Sequence, residues 1–179
     1  MNQCGRNRML YAEDAAGKYH VCALRTKVKI AVRTEDDIPY NRHFSIRQKV
    51  GRPDMTTAIS HATCMTAIDL DAKAIITVSK SGHTAKMISK YRPGCQIVGC
   101  SPDECTCRQL NLSWGVLPVH IKEEYSMEIL FLHATEAAER AGNVKEGDVG
   151  VLTAGGPLGR PGNTNPLTAT WGGREWRKA

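Results

Sequence analysis

Lys73 to Pro93, KAIITVSKSGHTAKMISKYRP, is the stretch on which the fold turns. Ala74-Ile75-Ile76-Thr77-Val78 is apolar and largely β-branched, the signature of a buried strand. Ser79-Lys80-Ser81-Gly82 is built from turn residues. From His83 to Tyr91, Ala85, Ile88 and Tyr91 recur at helical spacing with Lys86 and Lys90 on the outward positions, and Pro93 forbids continuation. A strand, a hydroxyl-rich glycine turn and a helix make half of a βαβ unit.

The turn has a definite chemical capacity. The first amides of a helix lack intrahelical partners and carry the positive end of its dipole, so a phosphate there is met by N–H donors. Ser79, Ser81 and Thr84 add hydroxyls, Gly82 admits close approach of the backbone, and Lys80 or a protonated His83 adds charge. Serine and glycine ahead of a helix also serve as plain caps, and the spacing matches neither a Walker loop nor the dinucleotide fingerprint.

Composition bounds the rest. A chain of 179 residues with 41% hydrophobic and 23% charged residues suits one domain with an appendage. There is no apolar run near membrane-spanning length and no charged-then-apolar leader at Met1, so neither a membrane partner nor secretion is expected. The net charge of +6 lies in the first third: Met1–Pro53 carries eleven Lys and Arg against five Asp and Glu, and the remainder has thirteen of each. No aromatics interleave with that basic excess in a stacking pattern, so no nucleic-acid partner is expected either. Seven cysteines without paired CxxC spacing read as thiols of a reducing, cytoplasmic compartment, and no metal site is assigned.

In chain order, Val21 to Arg33 is helical in pattern, with Val21, Leu24, Val28 and Val32 on one stripe. The polar tract Thr34 to Pro53 reads as a linker, with a domain boundary near its end. Asp54 can cap a helix from Met55 to Asp69, where His61 and Cys64 read as core or boundary residues. A second strand is expected over Gln96–Cys100. It is followed by a helix with Ser101 as N-cap and Pro102 at its first position. Trp114 to Ile121 is a third strand, Glu123 to Ala141 a long helix ended by Gly142, Val149 to Ala154 a fourth strand, and Thr164 to Trp171 a fifth. Between the last two lies the glycine and proline loop Gly155-Gly156-Pro157-Leu158-Gly159-Arg160-Pro161-Gly162-Asn163. The pattern implies an α/β fold, a five-stranded, mostly parallel open sheet with helices on both faces. Ligands in such folds collect beyond the carboxyl ends of strands, where the Ser79 turn and the Gly155 loop can face one cavity.

Several ordered segments carry a family resemblance: AISHATCMTAIDLDAKAIITVSKSGHTAKMISKYRP, RQLNLSWGV, GDVGVLTAG and PLGRPGNTN. Over about Asp54 to Trp171 the chain resembles the C-terminal domain of bacterial pyruvate kinases. AAGKYHVCALRTKVKIAVRTEDDI resembles the last helix of that enzyme's catalytic barrel. LYAEDAA departs from the family's Ser-Gly-Glu-Thr-Ala pattern, since Glu13 matches and Tyr11, Ala12 and Asp14 do not. The resemblance implies three segments: residues 1–53 as the end of the barrel plus a linker, 54–171 as the α/β domain, and 172–179 as a basic tail.

The resemblance also implies a role in subunit assembly and in binding a phosphorylated effector. The effector phosphate would sit on Ser79, Lys80, Ser81, Gly82, His83 and Thr84, with Gly155, Gly156, Pro157, Leu158, Gly159, Arg160, Gly162 and Asn163 closing over the remainder. The aromatic and arginine contacts to a second phosphate in fructose-bisphosphate-activated relatives have no clear counterpart near Glu123 to Leu130. The family's Mg2+, K+ and phosphoryl-transfer groups belong to the barrel, so no catalytic residue and no cofactor is assigned here, and this polypeptide alone is expected not to turn over phosphoenolpyruvate. The apolar stripe of the Val21–Arg33 helix is expected to be covered by a neighbouring chain, as in a homo-oligomer, or to stay mobile. A free-standing phosphometabolite-binding protein is the alternative. Catalysis with His83 as base finds no nucleophile or orienting partner in the sequence.

Overall fold

A computed structural model describes residues 19–38, 54–155 and 164–171. The chain divides into two units, Met1–Tyr40 and Asn41–Ala179. In the first, α1 (His20–Asp36) is a 17-residue helix, three residues longer at its end than the apolar stripe alone indicates. Thr26 and Thr34 each return a hydroxyl to the carbonyl four residues back, which accommodates β-branched polar residues within the helix. Val21, Leu24, Val28 and Val32 are each about half exposed.

The second unit is built on β1 (Ala74–Val78), every residue of which is buried. It pairs in parallel with β2 (Gln96–Ser101) on one side and β4 (Val149–Gly155) on the other. β3 (Val116–His120) adds in parallel beyond β2, and β5 (Thr164–Trp171) lies antiparallel along β4. The resulting order is β3-β2-β1-β4-β5, the expected five-stranded, mostly parallel sheet. Pro166 lies in β5, where an edge strand tolerates the missing amide donor.

Helices cover both faces because the strands are apolar on both. Ile76, Val78, Val98, Cys100, Leu152 and Ala154 meet Leu130, Ala134, Ala137 and Ala138 of α5 (Met127–Arg140). Opposite, Ile75, Ile97 and Val151 meet Cys64 and Ala67 of α2 (Met55–Asp69) and Ile88 of α3 (His83–Tyr91). Asp54 caps α2 by accepting a hydrogen bond from the Thr57 amide at 2.5 Å. His61 sits half-buried with its ring edge-on to Tyr91, centroids 5.7 Å apart.

Three boundaries depart from the sequence expectation. The helix after β2 is α4 (Glu104–Leu110), and its N-cap is Asp103, not Ser101. Ser101 is held in the β2–β3 ladder opposite His120, which carries Pro102 outside the helix. The third strand starts at Val116 because Gly115, at a φ of 66°, turns the chain there. Trp114 stays in the approach, buried, with the Arg92 guanidinium 4.6 Å above its ring. The long helix begins at Met127 with Ser126 as N-cap, leaving Glu123 in the connection, where Lys122, Glu123 and Tyr125 are exposed and have no apolar face to bury. Gly142, at a φ of 75°, ends it as expected.

The six described cysteines are free thiols. Burial pushes Cys95 up to about 11 and Cys100 up to about 12, and Cys64 higher still, so these thiols carry almost no thiolate at neutral pH. Cys22 and Cys105 are exposed. Brief alkylation of the native chain at pH 7.5, followed by peptide mass mapping, is expected to modify Cys22 and Cys105 well ahead of Cys64 and Cys100. Equal labelling of all four would mean that the sheet core opens freely.

Among the described residues no helix is long and apolar enough to cross a membrane. None of the described His, Cys, Asp and Glu side chains form a group of three or more that could hold a metal ion.

Candidate functional site

The sheet order fixes the edge at which folds of this class take ligands. β1 leads by way of α3 to β2 on one side, while β4 lies against its other side, so the direction of winding reverses between β1 and β4. At such a switch point the loops leaving the strands separate and open a crevice. Val78 is level with Ala154, so Ser79 and Gly155 lie at the same edge of the sheet. Gly155 is half-buried at that edge. Gly156, Pro157, Leu158, Gly159, Arg160, Gly162 and Asn163 lie outside the described residues.

The turn itself is held by its main chain. The Ser79 amide donates to the Cys100 carbonyl at 3.0 Å, carrying the β1–β2 contact one step beyond the strand. The Lys80 carbonyl accepts from the Ser101 hydroxyl at 3.3 Å and lies 3.1 Å from the Thr106 hydroxyl. That hydroxyl is also 2.6 Å from the Asp103 carboxylate, so its single proton is shared between two acceptors. Asp103 accepts from the Thr106 amide as well, at 2.7 Å, and these Thr106 hydrogen bonds hold its carboxyl below the usual carboxylate value. Ser101 therefore serves the turn rather than a helix end, and Thr106 ties α4 to it.

Gly82 completes the bend. Its φ of 67° is left-handed, a conformation that costs an L side chain about 1–2 kcal/mol and glycine almost nothing. It is also the N-cap of α3 and, as a glycine, makes no side-chain cap bond to it. Neither Ser79 nor Ser81 thus fills the capping role that would account for a serine-rich turn without a ligand. Across the six positions, Lys80, Ser81 and His83 are exposed and Ser79 is half-buried, while Gly82 and Thr84 are buried. The Lys80, Ser81 and His83 side chains border solvent, and Thr84 faces inward.

One partner was not legible in the sequence. The Lys80 ammonium lies 2.8 Å from the Glu123 carboxylate, which raises the lysine's affinity for its proton. Ser101 is expected from the sequence to cap the helix after β2, and Asp103 to stand in its first turn, whereas Thr106 carries no sequence expectation. The only local signal for their use at the turn was the Asp103-x-x-Thr106 spacing, which lets a capping carboxylate meet a hydroxyl one turn on.

The chain has relatives among known proteins. Residues 57–168 match the family model described as pyruvate kinase, alpha/beta domain. The chain is 41% identical over 157 residues to a pyruvate kinase of Sporosarcina psychrophila and 40% identical over 157 residues to one of Geobacillus stearothermophilus. Each match covers 88% of this chain and 27% of the relative, so the chain spans about a quarter of the length of the curated relatives it matches. Among solved structures it resembles a pyruvate kinase of Cryptosporidium parvum, with a TM-score of 0.80 and 26% identity, over 91% of this chain and 32% of that one. A structure of the Cryptosporidium parvum enzyme in complex with ADP gives a TM-score of 0.75 at the same identity, over 91% of this chain and 33% of that one.

Proposed function

This chain belongs to the pyruvate kinase family through its alpha/beta domain, and on that premise we propose that the domain is a regulatory and subunit-assembly module of a cytoplasmic glycolytic kinase. Its ligand is a phosphorylated metabolite whose phosphoryl group rests on Ser79 to Thr84, with the segment from Gly155 to Asn163 meeting the rest of the molecule. The observation that carries this reading is the pairing of β1 with β4, which sets their ends, Val78 and Ala154, level with each other at the switch point. The start of α3 supports it, because its N-cap is a glycine and the first turn carries the positive end of the helix dipole. In the domain itself these residues bind and position, and they contain no paired base and nucleophile. Phosphoryl transfer belongs to the rest of the family's enzyme, and the domain meets a second copy of the chain.

A ligand that binds only the folded chain raises its stability by about 2.7 kcal/mol at one hundred times its dissociation constant. Fructose 1,6-bisphosphate, ribose 5-phosphate, glucose 6-phosphate and AMP are suitable candidates in a thermal-shift series. At least one is expected to raise the melting temperature by several degrees, and Ser81→Ala is expected to reduce that rise while leaving the unliganded melting temperature close to the original. If none of the four shifts the transition, the turn is a structural bend only.

A further inference from the structure

We propose that Glu123 is a built-in competitor at the phosphate turn: it holds the Lys80 ammonium while the turn is empty, and an arriving phosphoryl group takes that ammonium from it. The inference rests on the reading of Ser79 to Thr84 as an anion site and adds a control on its affinity.

The two halves of Lys80 are held very differently. Its main chain is fixed, with the carbonyl bonded by Ser101 and faced by Thr106, and with the preceding amide bonded to Cys100. Its side chain is about half exposed, as is that of Glu123, at 55% and 49%. An ion pair that well hydrated gains little net free energy, so it breaks easily when a stronger partner appears. A phosphate monoester carries close to two negative charges at neutral pH and offers several acceptor oxygens, whereas the carboxylate has one charge. The dianion therefore wins the ammonium, and a monoanion gains no advantage over the carboxylate already there. The competitor raises the concentration of phosphate needed and favours phosphoryl groups over singly charged anions.

Glu123 also belongs to the connection between β3 and α5, just ahead of the Ser126 N-cap. Loss of its partner removes the contact between the turn and that connection. Anion binding beyond β1 is thereby communicated to the start of the helix that covers the opposite face of the sheet.

Inorganic phosphate titrated into the full 179-residue chain, followed by amide NMR shifts of Ser81 and Gly82, tests this on the wild type, Glu123→Gln, Lys80→Gln and the double variant. Glu123→Gln is expected to bind phosphate about threefold to fivefold more tightly, the size of one exposed ion pair. In the Lys80→Gln background the same change is expected to alter affinity by less than about twofold, since the cycle removes the shared interaction. In the wild type, the Glu123 and Tyr125 amides are expected to shift along with those of the turn. Equal affinity of wild type and Glu123→Gln overturns the competitor and leaves the anion site standing. So does a gain that persists undiminished without Lys80, which would be a general charge effect. No shift at Ser81 or Gly82 in any of the four proteins overturns the anion site and the competitor together.

Discussion

Ile75→Ala is expected to lower the stability of the α/β body by about 2–5 kcal/mol, the range for truncating a buried aliphatic side chain. In a chain of this size that corresponds to a fall in melting temperature on the order of 10 °C. Ile75 has no exposed surface and lies in the middle of the sheet, between Ile97 of β2 and Val151 of β4 in register. Above it are Ile88 of α3 and Cys64 and Ala67 of α2. The β-branched neighbours have one strongly preferred rotamer and the sheet fixes their backbones, so they cannot collapse into the space left by three carbons. The control is Ile129→Ala on α5. Ile129 is 44% exposed, and its truncation should change stability by well under half as much. Urea unfolding with an unchanged m-value reads both. A loss below 1 kcal/mol at Ile75 would show that the face between β1 and α3 is loosely packed.

Ile75 and its strand were legible because burial on both faces leaves a continuous β-branched run, and Pro93 marks where the next helix must stop. The features that escaped were those decided by tertiary pairing. Ser101 and Asp103 are both good N-caps, and only the reach of the β2–β3 ladder to Ser101 and His120 assigns the role to Asp103. Glu123 fits the charged face of a longer helix, yet Ser126 adopts the extended cap conformation and leaves Glu123 free to meet Lys80, 43 residues earlier. No local periodicity encodes a contact at that separation. Thr84 is one of the hydroxyls the turn offers, but it directly precedes Ala85 on α3 and is buried with it.

The position of the candidate site was better marked than its contents. Glycine and hydroxyl residues after one strand, and a glycine and proline loop after another, indicated two segments at the carboxyl edge. Their adjacency required the order β2-β1-β4, which the residues alone do not specify. The restraint on the turn comes from α4, a helix with no evident link to the phosphate motif in the sequence.

That restraint makes Gly82→Ala the second large effect expected, a loss of about 2–5 kcal/mol together with the loss of any phosphate response at the turn. Two costs combine. A left-handed φ disfavours any L side chain by about 1–2 kcal/mol. In addition, a Cβ at Gly82 would lie 2.9 Å from the Thr106 methyl and 3.1 Å from a Leu110 methyl. A threonine methyl at the surface could rotate away cheaply. Thr106 cannot, because its hydroxyl is engaged by Lys80 and Asp103 and rotation would break both contacts. Leu110 is buried, so its methyl has nowhere to move without overpacking its neighbours, at a cost of about 1–3 kcal/mol. Gly142→Ala separates the two contributions: its φ of 75° is equally left-handed, but no atom lies within 4 Å of the added carbon. It should lose only the conformational share, about 1–2 kcal/mol. Equal losses at the two glycines would mean that α4 yields readily, and that the turn is not clamped by Thr106. A clearly larger loss at Gly82 means that the bend is held from outside its own sequence, as a preformed anion site requires if it is not to spend binding energy on ordering its own loop.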